Sequence, residues 1–434
     1  MNFKDLISSN QLYALLAKGI EGLKIIAINA FVARYYGPEL FGKYTFIISI
    51  LSVIAIVAEF RLQSVLIKEY SKSDFELKVL LGSALLVNTF FAVVGFALVY
   101  LYTIIENDPI VATGMLIYGL SFFYKIPRLL RGFFISIERN VIIAKCEIIS
   151  SFLTISLLYF FIYNEFTIEY ILLGRSLDFL FISLLFIICF YTYRQNEFKI
   201  DTSLKVSKYL IIKSAPLVLS GAAMLLFQRV DIILIREYMG DYQAGLYGSA
   251  ANIMTLFSLV PLVLSESLAP KIFKEIGAES FDEMRFKFSF IVISVGGGLS
   301  LLMCLFSYPL IYLFYGESYL SSWSTLLVLS LSPLLIALGS VAGQLIVADN
   351  SQNLAYIKSI IGCFATIISN LILIPVIGLM GAAISTLIGL IIANFLAHYF
   401  IPRYRNIFFI QCRSLKAFFI PLSKNRVFSS NTKC

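Results

Sequence analysis

The sequence predicts an all-α polytopic membrane protein of about twelve transmembrane helices in two six-helix bundles. Three observations carry this. Of 434 residues, 59% are hydrophobic, only 14% are charged, and mean hydropathy is +0.88. So little polar side chain cannot cover a water-facing surface, so lipid is the solvent for most of the chain. The charges fall in short clusters between apolar runs of about 20 residues, the length that crosses about 30 Å of hydrocarbon as helix. A membrane β-barrel would show short alternating segments instead. Finally, one stretch occurs twice, half a chain apart. Arg34-Tyr-Tyr-Gly-Pro-Glu-Leu-Phe-Gly-Lys-Tyr44 is echoed by Arg236-Glu-Tyr-Met-Gly-Asp-Tyr-Gln-Ala-Gly-Leu-Tyr247. Self-similarity at so long a period signals duplication.

The spans fall near 12–34, 44–62, 78–102, 110–130, 141–163, 167–193, 209–235, 244–270, 286–315, 323–347, 355–376 and 379–402. This gives an N-terminal bundle over 1–200, a C-terminal bundle over 201–402, and a basic tail over 403–434. The connections are too short for a folded extramembrane domain. Gly132–Glu138 and Gly343–Asp349, each at the inner end of its half's fourth span, form a second echo. Two halves of matching orientation imply parallel repeats about an axis along the membrane normal, with a substrate site at the repeat interface.

Orientation follows from the cations. With the N-terminus inside, the cytoplasmic segments hold Arg61, Lys68, Lys72, Lys78, Lys125, Arg128, Arg131, Arg139 and Lys145, among others. The opposite loops hold Arg34, Lys43 and Arg236 among the acids Glu106, Asp108, Glu165, Glu169 and Glu317. That is the positive-inside bias, and it makes both termini cytoplasmic. The net charge of +8 is then a matter of topology and anionic headgroups, with no nucleic acid required. The tail, with Phe408, Phe409, Phe418 and Phe419 among its cations, suits the inner leaflet.

The six cysteines are scattered and there is one histidine, which argues against a disulfide framework, a metal site or any cofactor. No small-residue cleavage pattern follows the first apolar run, so no cleaved signal peptide is expected. There is no phosphate-cradling loop and no catalytic constellation on a substantial loop, so the chain reads as a transporter and not an enzyme.

Ionisable residues inside a bilayer are costly and should face a partner or an aqueous cavity. Lys18, Glu21, Lys24 and Asn29 share one face of the first span. They either line a cavity or form a self-neutralising Lys–Glu–Lys ladder. Arg175 and Asp178, one turn apart in the sixth span, are a cavity pair or an intrahelical one. In the seventh span Gln228 and Arg229 are cavity candidates. Asp231 lies about 200° from Arg229 around the helix, so the two cannot satisfy each other on one face. Asp231 and His398 are the candidates for ion coupling.

The order and spacing of several motifs resemble the Wzx-type polysaccharide repeat-unit flippases of the MATE-like multidrug/oligosaccharidyl-lipid/polysaccharide exporter superfamily. These motifs are the doubled turn, Phe60-Arg-Leu-Gln-Ser-Val-Leu66, Arg131-Gly132 with Glu138-Arg139, Gln228-Arg-Val-Asp231, Gly245-Leu-Tyr-Gly-Ser-Ala-Ala251, Leu313-Phe-Tyr-Gly-Glu-Ser-Tyr319 and Asn370–Ile384. The resemblance implies a protein of the bacterial cytoplasmic (inner) membrane. It would move undecaprenyl-diphosphate-linked oligosaccharides from the inner to the outer leaflet by alternating access, for O-antigen, capsule or exopolysaccharide synthesis. A polysaccharide polymerase and a chain-length regulator would be its partners, beside membrane lipids. Buried cations suit the diphosphate. The rivals are a MATE-type cation-coupled drug antiporter, which would favour an acidic or apolar cavity, and a membrane polymerase, which would carry a large outer loop.

Overall fold

The computed structural model describes residues 9–72, 75–193, 200–349 and 351–419. Within them every regular element is helical. In order these are α1 (Ser9–Glu59), α2 (Leu62–Lys72), α3 (Leu77–Ile105), α4 (Pro109–Gly119), α5 (Ser121–Tyr124), α6 (Leu130–Ser136), α7 (Asn140–Tyr163), α8 (Ile168–Tyr193) and α9 (Leu204–Met239). They continue as α10 (Asp241–Lys274), α11 (Phe281–Leu305), α12 (Ser307–Tyr315), α13 (Trp323–Leu329), α14 (Ser332–Ala348), α15 (Ala355–Ile377), α16 (Leu379–Ile391), α17 (Ala397–Phe400) and α18 (Arg405–Phe419). Eight helices are long and apolar enough to cross a membrane, or ten if each bent pair is one span. The twelve expected from sequence require splitting the 43-residue stretch Ala17–Glu59 and counting the more polar α9. The protein is multi-pass.

The duplicated stretch is one turn built twice. Helix α1 breaks at Gly37 (φ 76°, ψ 176°), and α9 ends at Gly240 (φ 85°, ψ 175°). Only glycine takes such backbone angles without strain. Pro38 and Asp241 then open the next helix in each copy. The motif's closing tyrosine reaches back to the preceding helix in both. Tyr44 Oη donates to Asn29 Oδ1 at 3.1 Å, and Tyr247 Oη donates to Asp231 Oδ2 at 2.8 Å.

The two turns also meet each other reciprocally. A methyl group on Gly42 would lie 1.8 Å from the Asp241 carbonyl oxygen, and one on Gly245 would lie 1.9 Å from that of Pro38. Backbone therefore packs on backbone about a local two-fold. The second echo is structural as well. Gly132 and Gly343 lie in the second halves of two broken spans, bent by 42° between Pro109–Tyr124 and Ile126–Ser136 and by 43° between Glu317–Leu329 and Ser332–Ala348.

The basic residues beside the turns clasp neighbouring segments. Arg34 caps the C-terminal carbonyls of α12, donating to Phe314 O at 3.1 Å and to Leu313 O. Lys43 pairs with Asp108 at 2.6 Å, and Asp108 caps α4 through the amides of Ile110 and Val111. Arg236 binds Glu106 with both terminal nitrogens at 2.8 and 3.0 Å and binds Asp241 at 2.8 Å. Arg236 holds the Glu106 carboxyl below its ordinary range, burial working the other way. Burial also opposes the ionised Asp108, but the Lys43 bond and the two amides outweigh it and lower its value.

The chain forms two compact units, Met1–Asn252 with Tyr312–Ser322, and Ile253–Ile311 with Trp323–Cys434. In the first unit α9 packs on α1, α2 and α3. Its cores centre on Phe133, Phe134, Phe186 and Phe190, and on Leu62, Leu66, Leu80 and Leu210. In the second unit the start of the basic tail is a docked helix. Ile407, Gln411 and Ser414 of α18 are buried, and α18 packs on α11. Arg413 lies 4.4 Å over the Phe286 ring. Tail residues 420–434 lie outside the described residues.

Gly42→Ala or Gly245→Ala is expected to cost about 1–3 kcal/mol by overpacking. Gly19→Ala, where no atom lies within 4 Å, should be neutral or stabilising. Thermal melting of the detergent-solubilised protein compares the three. Because Glu106 and Asp108 have lowered folded-state values, their contribution is complete above about pH 5 and is lost as pH falls through those values. The melting temperature should therefore drop on acidification below about pH 5, and less steeply in the Asp108→Asn variant.

Candidate functional site

The first unit contains a buried polar centre built on α1, α7, α8 and the broken fourth span. Lys24, 6% exposed, donates to both oxygens of Asp178 at 2.8 and 3.0 Å. Ser150 and Thr154 of α7 donate to Asp178 Oδ1 at 2.9 and 2.7 Å. Glu147, Ser150 and Thr154 follow helical spacing and therefore share one face of α7. Arg128 binds Glu21 at 2.7 Å and lies 4.0 Å from Glu147. Arg131 lies 4.0 Å from Glu21. Lys125 pairs with Glu59 at 2.8 Å and sits 4.3 Å over the Phe179 ring.

Lys24, Lys125, Arg128 and Arg131 thus face Glu21, Glu59, Glu147 and Asp178, four charges of each sign. Mutual attraction at low dielectric offsets part of the desolvation cost. Lys18, Glu21, Lys24 and Asn29 have different surroundings along α1. Lys18 is exposed. Glu21 and Lys24 take partners on other helices rather than each other. Asn29 sits farther along, accepting from Tyr44 and donating to Asn252 Oδ1 at 3.2 Å. Asp178 takes Lys24 in place of Arg175, its neighbour one turn away on α8.

Arg175 is 6% exposed, and its Nε has no hydrogen-bond partner. Its electrostatic neighbours are Tyr44, Tyr118 and Asp178. Arg229, half-buried on α9, shares the surroundings of Tyr118 and Arg175. Among the described residues neither arginine has an acid within ion-pairing distance. Gln228 is exposed, and Asp231 is buried with the Tyr247 hydroxyl on it. The two arginines give the centre two positive charges beyond the paired eight. Such a site suits a multivalent anion.

His398 belongs to the second unit. It is fully buried, with Nδ1 3.2 Å from Gln411 Oε1. The Gln411 amide donates to Leu338 O at 2.9 Å and Asn394 O at 3.1 Å. With both amide hydrogens used, Oε1 accepts, which makes His398 Nδ1 the donor. Asn394 lies in the π-turn Ile392–Leu396, so the glutamine fastens α18 to an irregular stretch of helix.

Sequence reasoning missed Glu147, Arg128 and Arg131 as members of the centre, along with Ser150 and Thr154. Glu147 was detectable as a lone acid within the fifth apolar run.

The helix arrangement is similar to that of solved multi-helix membrane proteins. A lipid II flippase, MurJ, in an inward closed conformation superposes with a TM-score of 0.71 at 15% identity, over 96% of this chain and 94% of that one. The eukaryotic MATE transporter AtDTX14 gives 0.66 at 14% identity, over 93% and 98%. Residues 7–275 match the family model described as polysaccharide biosynthesis protein, and the chain belongs to that family. Capsular polysaccharide biosynthesis protein CapF of Staphylococcus aureus is 24% identical over 402 residues, covering 90% of this chain and 98% of that protein.

Removing one partner of the Lys24–Asp178 pair strands a buried charge, at a cost of about 3–5 kcal/mol. Lys24→Met and Asp178→Asn should each lower the melting temperature markedly, and the double variant should recover most of the loss. A double variant as unstable as the sum of the two would contradict the pairing.

Proposed function

We propose that this protein is a flippase moving diphosphate-linked polysaccharide precursors across the bacterial cytoplasmic membrane, from the inner to the outer leaflet. One observation carries the reading: Arg175 and Arg229 stay positive where the eight neighbouring charges neutralise one another. A diphosphate entering hydrocarbon loses its hydration, and two guanidiniums offset that loss with planar, multidentate donors. Asn29, Asn252 and Tyr44 add neutral hydrogen-bonding groups suited to sugar hydroxyls. The lipid tail stays in the bilayer while the sugars occupy the polar interior, and alternating access completes the transfer. Family membership supports the polysaccharide route, and a polymerase and chain-length regulator are the partners this route calls for. The step itself makes and breaks no covalent bond.

The MATE-like arrangement also fits a cation-coupled drug antiporter. A site with two surplus positive charges repels organic cations, which favours the anionic cargo.

Arg175→Gln with Arg229→Gln is expected to lower surface polysaccharide at least about tenfold, equivalent to about 1.4 kcal/mol, at unchanged membrane abundance. Lipid-linked repeat units should accumulate on the cytoplasmic side. Normal surface display and an unchanged lipid-linked pool would refute the assignment.

A further inference from the structure

Among the described residues of the polar centre, Glu147 is an acid with no hydrogen-bond donor on either carboxylate oxygen. Its side chain is 1% exposed. Two cations stand 4.0 Å away, Lys24 from α1 and Arg128 from the broken fourth span. Both are committed elsewhere, Lys24 to Asp178 at 2.8 Å and Arg128 to Glu21 at 2.7 Å. The other groups around it are Glu21 on α1, Arg131 on α6, and Asp178 on α8 beyond Lys24. On α7 itself Cys146 is adjacent and meets Cys189 of α8 at 3.8 Å, while Lys145 is exposed. An ionised carboxylate stripped of water and of donors is among the costliest things a protein interior can hold, and a neutral carboxyl is far less so.

The charge count gives this a consequence. With Glu147 ionised the eight charges, its own included, cancel; with Glu147 neutral, one positive charge is in surplus. That surplus can travel through a chain of contacts. Lys24 stands between Glu147 and Asp178, and Asp178 is the acid nearest in charge to Arg175, one turn away on α8.

We propose that Glu147 is a proton-dependent positioning residue for the anion site. When neutral, it leaves Lys24 to Asp178, and Arg175 is available to a diphosphate. When ionised, it draws Lys24 towards itself, Asp178 turns its charge on Arg175, and the anion is released. One proton adds to a Glu147 oxygen from water as the anion binds, and returns to water as the anion leaves. This inference rests on the reading of Arg175 and Arg229 as a diphosphate site.

The test uses purified full-length protein in detergent with undecaprenyl diphosphate as probe. Dissociation constants are measured from about pH 5.5 to about pH 8.5 for the wild type, Glu147→Gln and Glu147→Asp. The probe's own phosphate titration is common to all three, so the ratios are read. The ratio of wild-type to Glu147→Gln dissociation constants should rise with pH, by up to about tenfold per unit, the limit for one linked proton. Glu147→Asp should keep the wild-type slope. A Glu147→Gln curve parallel to the wild type overturns the proposal. Should that variant fail to fold, infrared difference spectra of the wild type and Glu147→Asp decide. A protonated-carboxyl band that grows on probe binding and shifts in the aspartate variant supports it, and no carboxyl band overturns it. Absence of probe binding by the wild type at every pH would overturn the diphosphate site itself, a different result from binding without the pH-dependent ratio.

Discussion

The contact between two glycine turns is the constraint on which the first unit depends. Gly42 and Gly245 bring backbones together where a single methyl group would collide with a carbonyl oxygen. That closeness fixes where α1 re-enters after Gly37 and where α10 begins after Gly240. The clasps by Arg34, Lys43 and Arg236 then hold α12, α4 and α3 around the turns. With the helix ends held there, Tyr44 and Tyr247 reach back to Asn29 and Asp231, and the polar centre is assembled from helices whose relative height is set.

Electrostatics inside this frame is divided between holding and receiving. The Lys24–Asp178 pair, with Ser150 and Thr154, saturates its carboxylate with donors and so behaves as structure. Arg175 and Arg229 have no such acid and remain available to a ligand. The distinction matters because depth in the membrane does not reveal it. Lys24 and Arg175 are equally buried, at 6% each, yet one is neutralised and the other is not.

Hydropathy made the helices legible, since lipid as solvent demands long apolar runs and leaves little ambiguity about helix against strand. The turns at Gly37 and Gly240 were legible because a glycine between two spans has few other uses. The repeat showed where to look. The pairing within the centre was not legible. Lys24 and Asp178 are 154 positions apart, and the only pairings helical spacing offers are with near neighbours, Glu21 for Lys24 and Arg175 for Asp178. Glu147 was missed because it is the one acid on its helix, and the charges that approach it come from other elements. The basic tail suggested a leaflet-bound segment; its docking on α11 depends on the small buried stripe Ile407, Gln411 and Ser414, which composition does not show.

The two copies of the turn also record what duplication left free to change. A contact made by backbone leaves the side chains around it free to differ, as Pro38 and Asp241 do, and divergence reaches the helices beside the turns. It does so at the atom that receives the tyrosine hydroxyl, an amide oxygen in Asn29 and a carboxylate oxygen in Asp231. The same shape is thereby electrically neutral in one half and ionisable in the other.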